Sequence, residues 1–156
     1  MSLSTIQDFV EPINLSILSK DEGYRDTQLG KHIKSYENQL PDIKDADIVL
    51  IGAGECRGAG FALNGFEAAN AVRAALYNLY YWHAQVTIAD IGNVKLGQSI
   101  QDSYAALRTV IAELILQNKK VNSNKYSENQ IFKSNSPLLI QITLENNIKI
   151  FKKIIY

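Results

Sequence analysis

The residues with the clearest chemical potential form a glycine-rich segment, Gly52-Ala-Gly54-Glu-Cys-Arg-Gly58-Ala-Gly60, which follows an apolar run. Such a segment can hold a pyrophosphate when a helix begins within the glycine turn and directs its first amides at the ligand. Here Asn64-Gly65 interrupts the chain, so we expect the helix to begin after it. Asp90, the acidic residue that ends the next predicted strand, lies well beyond the spacing of about 20 residues expected for a ribose contact. We therefore favour a loop that bends over the strand end, and a nucleotide- or metabolite-binding module that uses Gly52–Gly60 is the alternative.

Two charged side chains of this segment, Glu55 and Arg57, are the candidate substrate-binding residues. A loop at the carboxyl end of a parallel strand can present such groups to a charged substrate. The same two residues are explained equally well as a local ion pair in contact with solvent. Asp90 is expected at the same edge of the sheet, where an aspartate more often binds loop amides than takes part in chemistry.

The remaining residues with reactive side chains are two histidines and one cysteine. Neither His32 nor His83 has an Asp, Glu or Cys at a spacing typical of metal ligands, so we expect structural roles, with His83 near the carbonyl groups of a helix end. A single cysteine excludes an internal disulfide and a cysteine-based zinc site. No histidine base lies near Cys56 in the sequence, which argues against a nucleophilic role. The residues alone predict no catalytic group and no metal ligand.

The elements that must position these side chains follow the order strand, helix, strand, helix. Asp47-Ile-Val-Leu-Ile-Gly52 predicts a strand buried on both faces, and Gln85-Val-Thr-Ile-Ala89 predicts a second strand. This order implies a parallel sheet with right-handed crossovers. The loops at 52–65 and 90–98 are therefore expected at the edge of the sheet where ligands bind.

Helices are predicted from the spacing of apolar residues. One is expected from Phe66 to about Tyr80, and a short one over Leu29 to Tyr36. A second long helix is expected to about Gln117, opened by Ser99-Ile-Gln-Asp102 as a capping box.

The composition of the chain limits its classes of partner. The 156 residues include 16 Lys and Arg and 16 Asp and Glu, so there is no excess of positive charge of the kind that binds nucleic acid or an anionic membrane. Apolar residues make up 46% and charged residues 21%, which is typical of a soluble globular protein. No apolar run is long enough to cross a bilayer, and the N-terminus does not have the pattern of a signal peptide. We expect a cytoplasmic protein.

Several segments between Gly23 and Val121 resemble a known family. They are Gly23-Tyr-Arg-Asp-Thr-Gln-Leu-Gly-Lys-His32, Ala46-Asp-Ile-Val-Leu-Ile-Gly52, Asn64-Gly-Phe-Glu-Ala-Ala-Asn-Ala-Val-Arg73, Leu76-Tyr77 and Ile88-Ala-Asp-Ile-Gly-Asn-Val94. Together they resemble the N-terminal part of the ureohydrolases, the family of arginase, agmatinase and formimidoylglutamase. They are most similar to the bacterial formimidoylglutamase-like members.

The resemblance implies a fold and a reaction. The fold is a three-layer α/β/α arrangement around a mainly parallel sheet, of which this chain is the N-terminal portion. The reaction is hydrolysis of a C–N bond in a guanidino or formimino compound by a hydroxide that bridges two manganese ions. The family's metal ligands come from Gly-Gly-x-His, Asp-x-His-x-Asp and Asp-x-Asp segments, and those ligand-bearing segments are not carried by this sequence. The resemblance thus implies a manganese pair for the family and transfers no ligand to any position here.

The composition changes at about Val121. From Asn122 to Tyr156 the chain contains no Gly, Ala, Val, Asp or His. These residues are interpreted either as a genuine divergent end, with a strand at 138–143 and a short basic helix or strand at 148–156, or as an out-of-frame translation of an A+T-rich gene. We favour the second interpretation, because the change falls where the family's first metal-binding segment should follow.

These observations predict a truncated and inactive ureohydrolase-type protein. Residues 1–121 are expected to form a partial arginase-like α/β domain, and residues 122–156 a divergent tail. Such a sheet is expected to have an unpaired edge, and self-association or a homo-oligomer is the expected consequence.

Overall fold

The computed structural model describes residues 4–19, 23–59, 66–118, 138–143 and 150–152. These residues have an α/β architecture, as the sequence predicts. The helices are α1 (Ser4–Phe9), α2 (Leu15–Leu18), α3 (Phe66–Tyr77) and α4 (Ile100–Asn118), and 3-10 turns lie at Leu29–Lys31 and Arg57–Ala59. The strands are β1 (Val10–Glu11), β2 (Lys34–Ser35), β3 (Ile48–Ala53), β4 (Ile88–Val94), β5 (Leu138–Thr143) and β6 (Ile150–Lys152).

The strands form one mixed sheet in the order β1-β4-β3-β5-β6, and β2 also pairs with β4. β4 is parallel to β2 and β3, whereas β1 is antiparallel to β4. β5 is antiparallel to both β3 and β6. The prediction of a mainly parallel sheet is therefore confirmed only for β2, β4 and β3. Antiparallel neighbours need no crossover helix, so segments outside the strand–helix–strand unit can join the sheet in the opposite direction.

Helices cover both faces of the sheet. Side chains along a strand alternate between the two faces, so neighbouring residues of β3 pack against different helices. Val49 and Ile51 of β3 lie in a core cluster with Val110 and Leu114 of α4. Leu50 points to the other face and lies in a second cluster with residues that include Leu18 of α2 and Tyr77 of α3. Each buried aliphatic side chain of this kind contributes roughly 1.5–3 kcal/mol. The result is three layers, with helices on each side of the sheet.

Strand β4 contains one more residue than β3 over the same stretch. The pairs Leu50–Asp90 and Gly52–Asn93 are separated by two positions in β3 and by three in β4. This is a β-bulge, and it includes Gly92, whose φ of 86° lies in the left-handed region that glycine favours.

The bulge decides which side chains face α3. Asp90 and Asn93 both contact α3, although they are three residues apart. Val94 lies in the core cluster on the α4 side of the sheet. At Gly92 the backbone approaches β1 so closely that a Cβ atom would lie 2.1 Å from the carbonyl oxygen of Glu11. A glycine is therefore required at this position.

The structure corrects two sequence expectations around β4. The predicted strand 85–89 overlaps β4 by two residues only, and the first five residues of the predicted loop 90–98 are part of β4. The polar residues Asp90 and Asn93 favour a loop by type, but here Arg73 binds their side chains inside the protein. Helix α3 ends at Tyr77 and not near residue 80, because residues 79–81 exchange backbone hydrogen bonds with residues 27–29.

Other expectations are settled by the remaining elements. The predicted helix over Leu29 to Tyr36 is wrong, because a single 3-10 turn is followed there by β2. Helix α4 and its capping box are confirmed. Ser99 Oγ accepts from the backbone N–H of Asp102 at 3.1 Å, and Asp102 Oδ2 accepts from the N–H of Ser99 at 2.9 Å. Within the described ranges, no helix has both the length and the apolar character required to cross a membrane.

Candidate functional site

A buried polar network lies between α3 and β4. Arg73 and Asp90 are both fully buried, and Arg73 Nε donates to Asp90 Oδ2 at 2.8 Å. Arg73 Nη2 donates to Asp90 Oδ1 at 3.0 Å, so the ion pair is bidentate. Tyr77 Oη donates to Asp90 Oδ2 at 2.8 Å, and the Gly92 N–H donates to Asp90 Oδ1 at 2.9 Å. The carboxylate of Asp90 thus accepts four hydrogen bonds.

The guanidinium group of Arg73 is satisfied in the same way. Nη1 donates to Asn93 Oδ1 at 2.6 Å, and Nη2 donates to the carbonyl oxygen of Gly92 at 2.8 Å. Gly52 of β3 lies directly beside these groups, since a Cβ there would be 2.0 Å from Asn93 Oδ1. The absence of a side chain at Gly52 therefore makes room for the network.

The electrostatics of the network favour a fixed structure. Burial, and then the charge of Asp90, raise the pKa of Tyr77 well above its usual range, so its hydroxyl stays protonated and continues to donate. Because the carboxylate and the guanidinium have their hydrogen-bonding atoms occupied, neither is available to a substrate. The prediction that Asp90 binds backbone amides is confirmed at Gly92, and its main partner is Arg73.

The candidate binding residues Glu55 and Arg57 form an ion pair. Arg57 Nε donates to Glu55 Oε1 at 2.9 Å and Nη2 donates to Oε2 at 2.5 Å. The exposed fractions of the two side chains are 20% for Arg57 and 7% for Glu55. The pair is therefore local, as one interpretation predicted, but it is largely enclosed by the protein.

Arg57 also joins its loop to the beginning of α4. Nη1 donates to the carbonyl oxygen of Gln98 at 2.8 Å, and Nη2 donates to those of Gly97 and Ser99 at 3.1 and 3.0 Å. Ser103 Oγ accepts from Nη2 at 3.0 Å. The loops after β3 and β4 are thus held together by one side chain.

The hydrogen bond from Arg57 lowers the pKa of Glu55 to about 2 from its ordinary value of 4.5, against the opposing effect of burial. Glu55 is therefore ionised at neutral pH and is not a candidate proton donor. Hydrogen bonds from Ser99 likewise lower the pKa of Asp102 in the capping box. These carboxylates stabilise loop geometry.

A shallow cleft with an accessible volume of about 10 Å³ lies at the carboxyl ends of β3 and β4. Its walls include Gly54 and Glu55 after β3, Lys95 and Leu96 after β4, and Tyr104 of α4. This is the edge at which parallel sheets bind ligands, and the segments that follow β3 and β4 both begin there. That volume is about what a single water molecule needs and is far below the roughly 300–1,000 Å³ typical of small-molecule sites.

The geometry does not favour a dinucleotide at Gly52–Gly60. Gly52 belongs to β3, and a 3-10 turn follows at Arg57–Ala59. Helix α3 is described from Phe66, and residues 60–65, which include Asn64-Gly65, lie outside the described part. The described part of α3 therefore does not reach the glycine segment, where a pyrophosphate would need the N-terminus of a helix.

The histidines and the cysteine have structural surroundings. The ring of His32 stacks on Tyr81 with centroids 3.9 Å apart, and its Nε2 lies 2.7 Å from the carbonyl oxygen of Asp26. His83 is exposed and its ring centroid lies 3.7 Å from that of Trp82. His83 lies six residues beyond the end of α3, so its expected position at a helix end is wrong. Cys56 is buried.

The described residues do not fit the manganese pair implied by the family resemblance. Among them, no group of three or more His, Cys, Asp or Glu side chains could hold a metal ion. The carboxylates of Glu55 and Asp90 are each bound by an arginine. No step of a metal-assisted hydrolysis can therefore be assigned to these residues.

Sequence reasoning missed the role of Arg73 as the centre of a network. The signal was present, because Arg73 occupies an apolar position of the predicted helix, together with Ala69 and Leu76. A charged residue at a buried position requires a buried partner of opposite charge. Asp90, which follows the apolar residues of the next strand, was the natural choice.

Comparisons of the chain with models of protein families, with curated proteins and with solved structures found no match. The α/β fold and the geometry of the two polar clusters follow from the structure. The relationship to ureohydrolases stays a prediction from the sequence motifs.

Proposed function

We propose that this chain provides the N-terminal α/β scaffold of a ureohydrolase-type protein, most similar to formimidoylglutamase. The observation that carries this proposal is the convergence of the resembling motifs on one buried network. Arg73 ends one motif, Tyr77 ends the next, and Asp90 and Asn93 belong to a third. Motifs separated along the chain thus serve one structural purpose, which is to fix α3 and the bulge of β4 against each other.

The proposed role of this scaffold is to hold the strand ends and their loops in place. The network fixes β4 as far as Asn93, and Arg57 then fixes residues 97–99. In ureohydrolases, the metal-binding segments supply the manganese ligands for C–N bond hydrolysis. Because those ligand-bearing segments are not carried by this sequence, we propose that the 156-residue chain is inactive as a hydrolase.

Activity of the purified 156-residue chain tests the proposed inactivity. The chain is incubated with manganese and N-formimino-glutamate, and in parallel with arginine and agmatine, and the C–N cleavage products are measured. We expect no turnover above a metal-free control. Manganese-dependent turnover of any of the three compounds would refute the proposed inactivity.

The DNA that follows codon 121 tests the out-of-frame interpretation of residues 122–156. We expect one of the other two reading frames to encode a Gly-Gly-x-His segment shortly after that codon, as the out-of-frame interpretation of residues 122–156 requires. If neither frame encodes it, the out-of-frame interpretation fails. The activity assay and the DNA sequence test different statements, so the proposed inactivity and the out-of-frame interpretation can be refuted independently.

The alternative function is a small metabolite-binding module. The position of the cleft beside Gly54 and Glu55, at the ends of two parallel strands, favours it, and a ligand there would lie across the open mouth of the cleft, because its own volume is only about 10 Å³. Thermal-shift measurements with nucleotides, acidic metabolites and manganese separate the two proposals. A rise in melting temperature that is specific to one metabolite and is lost in Glu55→Gln supports the alternative.

A further inference from the structure

Residues 79–83, which follow α3, form an exposed segment that is rich in aromatic side chains, here called the aromatic segment. Tyr80 and Trp82 expose 67% and 74% of their surface, and Leu79 exposes 57%. Single exposed apolar residues are ordinary on a protein surface, but three of them within four positions form a patch. Such patches mark interaction sites.

The backbone of the aromatic segment is fixed by a neighbouring part of the chain. The N–H of Tyr81 donates to the carbonyl oxygen of Thr27 at 2.8 Å, and the carbonyl oxygen of Leu79 accepts from the N–H of Leu29 at 2.8 Å. The two stretches are thus paired like short antiparallel strands. A ligand meets a surface that is already formed, so little conformational entropy is lost on the protein side when it binds.

The aromatic rings of the segment point to two different sides. The ring of Tyr81 is only partly exposed and stacks on that of His32 with centroids 3.9 Å apart. Side chains alternate along an extended backbone, so Tyr80 and Trp82 share the outer side. The ring of His83 lies against that of Trp82 with centroids 3.7 Å apart. The outer side is therefore a row of exposed rings on a fixed backbone.

The aromatic segment lies in a stretch without charged residues. Residues 74–89 contain no Asp, Glu, Lys or Arg, whereas the chain average of 21% would place about three charged residues in a stretch of this length. Aromatic enrichment and depletion of charge are characteristic of the centre of binding surfaces. A partner that is held by its charge would need an opposite charge here, so the complementary partner is uncharged where it touches the segment.

The size of the patch favours a peptide over a second folded copy of the chain. A tyrosine or tryptophan side chain buries about 150–250 Å², so the exposed fractions of Tyr80 and Trp82 supply roughly 200–350 Å² together. A stable interface between folded proteins buries about 800 Å² on each partner. A short ligand that is rigid before it binds loses less entropy and needs less area than this.

The hydrogen-bonding groups of the patch match a ligand that is rich in acceptors. The indole Nε1 of Trp82 can only donate, the hydroxyl of Tyr80 can donate, and residues 74–89 contain no carboxylate. A proline-rich peptide has the complementary character, because proline has no N–H and the polyproline II backbone leaves its carbonyl oxygens without internal partners. This conformation is also rigid before binding, and it docks on grooves lined by aromatic rings.

We propose that the aromatic segment binds a proline-rich peptide in the polyproline II conformation. Proline rings pack against the rings of Tyr80 and Trp82, and carbonyl oxygens of the peptide accept from the Tyr80 hydroxyl and the Trp82 indole N–H. This inference goes beyond the proposed function and does not depend on it.

The fluorescence of Trp82 tests the binding directly, because Trp82 is the only tryptophan of the chain. The full 156-residue chain is titrated with a peptide of ten prolines, acetylated and amidated at its ends, and is excited where tyrosine does not absorb. A peptide of five Gly-Ser pairs, which is equally long and uncharged, is the control ligand. We expect a saturable blue shift of the emission with the proline peptide, because the indole becomes buried, and no shift with the control ligand.

Matched variants connect the binding to the patch. Tyr80→Ala should weaken the affinity for the proline peptide at least about tenfold, as truncation of a central aromatic contact does. Tyr80→Phe keeps the ring and removes one hydrogen bond, so its affinity should lie between those of Tyr80→Ala and the wild type. Leu116→Ala shortens an exposed apolar side chain of α4, on the other face of the sheet from α3, and should leave the affinity unchanged. Circular dichroism shows whether each variant is folded.

Several results would overturn the proposal. They are no shift with the proline peptide at about 1 mM, an equal shift with the Gly-Ser peptide, and an affinity that is the same in folded Tyr80→Ala as in the wild type. A blue shift that needs no peptide and grows with protein concentration, together with a dimer mass in light scattering, would assign the patch to a second copy of the chain. A shift with phosphatidylcholine vesicles and none with the proline peptide would assign it to a lipid surface.

Discussion

Replacing Arg73 by methionine tests whether the buried network determines the stability of this fold. Methionine keeps the length and much of the apolar surface of the arginine but removes its charge and donors. In Arg73→Met the fully buried carboxylate of Asp90 keeps only two of its four donors, the Tyr77 hydroxyl and the Gly92 amide. Asn93 also loses its hydrogen bond from Arg73.

The expected cost follows from this geometry. Removing one partner of a buried ion pair typically costs about 3–5 kcal/mol, because the remaining charge is left without its counter-charge. The additional loss of bonds to Asn93 and to the Gly92 carbonyl places Arg73→Met in the upper half of this range, at about 4–5 kcal/mol. A domain with a total stability of about 5–15 kcal/mol would lose a large part of it.

The assay is urea unfolding of the full chain at pH 7, followed by far-ultraviolet circular dichroism. Asp90→Val and the double variant complete a mutant cycle, and Lys31→Met, at an exposed cation, is the control. Since an apolar pair leaves no buried charge, we expect the double variant to cost about 2–3 kcal/mol less than the sum of the single variants. A loss below about 1 kcal/mol in Arg73→Met, or strict additivity, would refute the reasoning. If Arg73→Met does not fold, a folded double variant supports the reasoning and an unfolded one contradicts it.

Three further predictions concern the loops and the bulge. Gly92→Ala should cost at least about 1–2 kcal/mol from its left-handed backbone alone, whereas Gly58→Ala, with no atom nearer than 3.8 Å to its new Cβ, should be close to neutral in the same urea assay. Ser99→Ala should cost about 1 kcal/mol by removing the cap of α4, and a change below about 0.3 kcal/mol would contradict the capping role. For Glu55, the folded-state pKa of about 2 lies below the ordinary value of 4.5, so its ion pair with Arg57 stabilises the fold above pH 4.5 and that stabilisation is lost as the pH falls toward 2. Urea unfolding at several pH values in this window should therefore depend less steeply on pH in Glu55→Gln than in the wild type, and equal slopes would count against the ion pair.

The elements that the sequence predicts well are those whose local pattern agrees with their surroundings. Strand β3 is an uninterrupted run of apolar and largely β-branched residues, which only a strand covered on both faces can bury. Helix α4 has an apolar face and a reciprocal cap at Ser99 and Asp102, and both signals lie within the helix itself. Such elements need no knowledge of distant partners.

Strand β4 could not be predicted in the same way, because its stability depends on a residue from another element. Asp90, Gly92 and Asn93 are residue types that favour turns, and a local interpretation places them in a loop. They belong to a strand because Arg73, 17 residues before Asp90, supplies the donors that they need. The pairing of β1 and β5 with this sheet is equally non-local.

The bulge of β4 makes the number of residues between Asp90 and Asn93 as important as their identity. Deleting Gly92 would restore simple alternation with Asn93 still on the α3 face and Val94 still on the α4 face, and the change would remove only the Gly92 amide and carbonyl that bind Asp90 and Arg73. Adding one residue would instead misplace the side chains of Asn93 and Val94. An insertion of one residue between Asp90 and Asn93 should therefore destabilise the fold more than deletion of Gly92 does, and urea unfolding of the two variants would show this order.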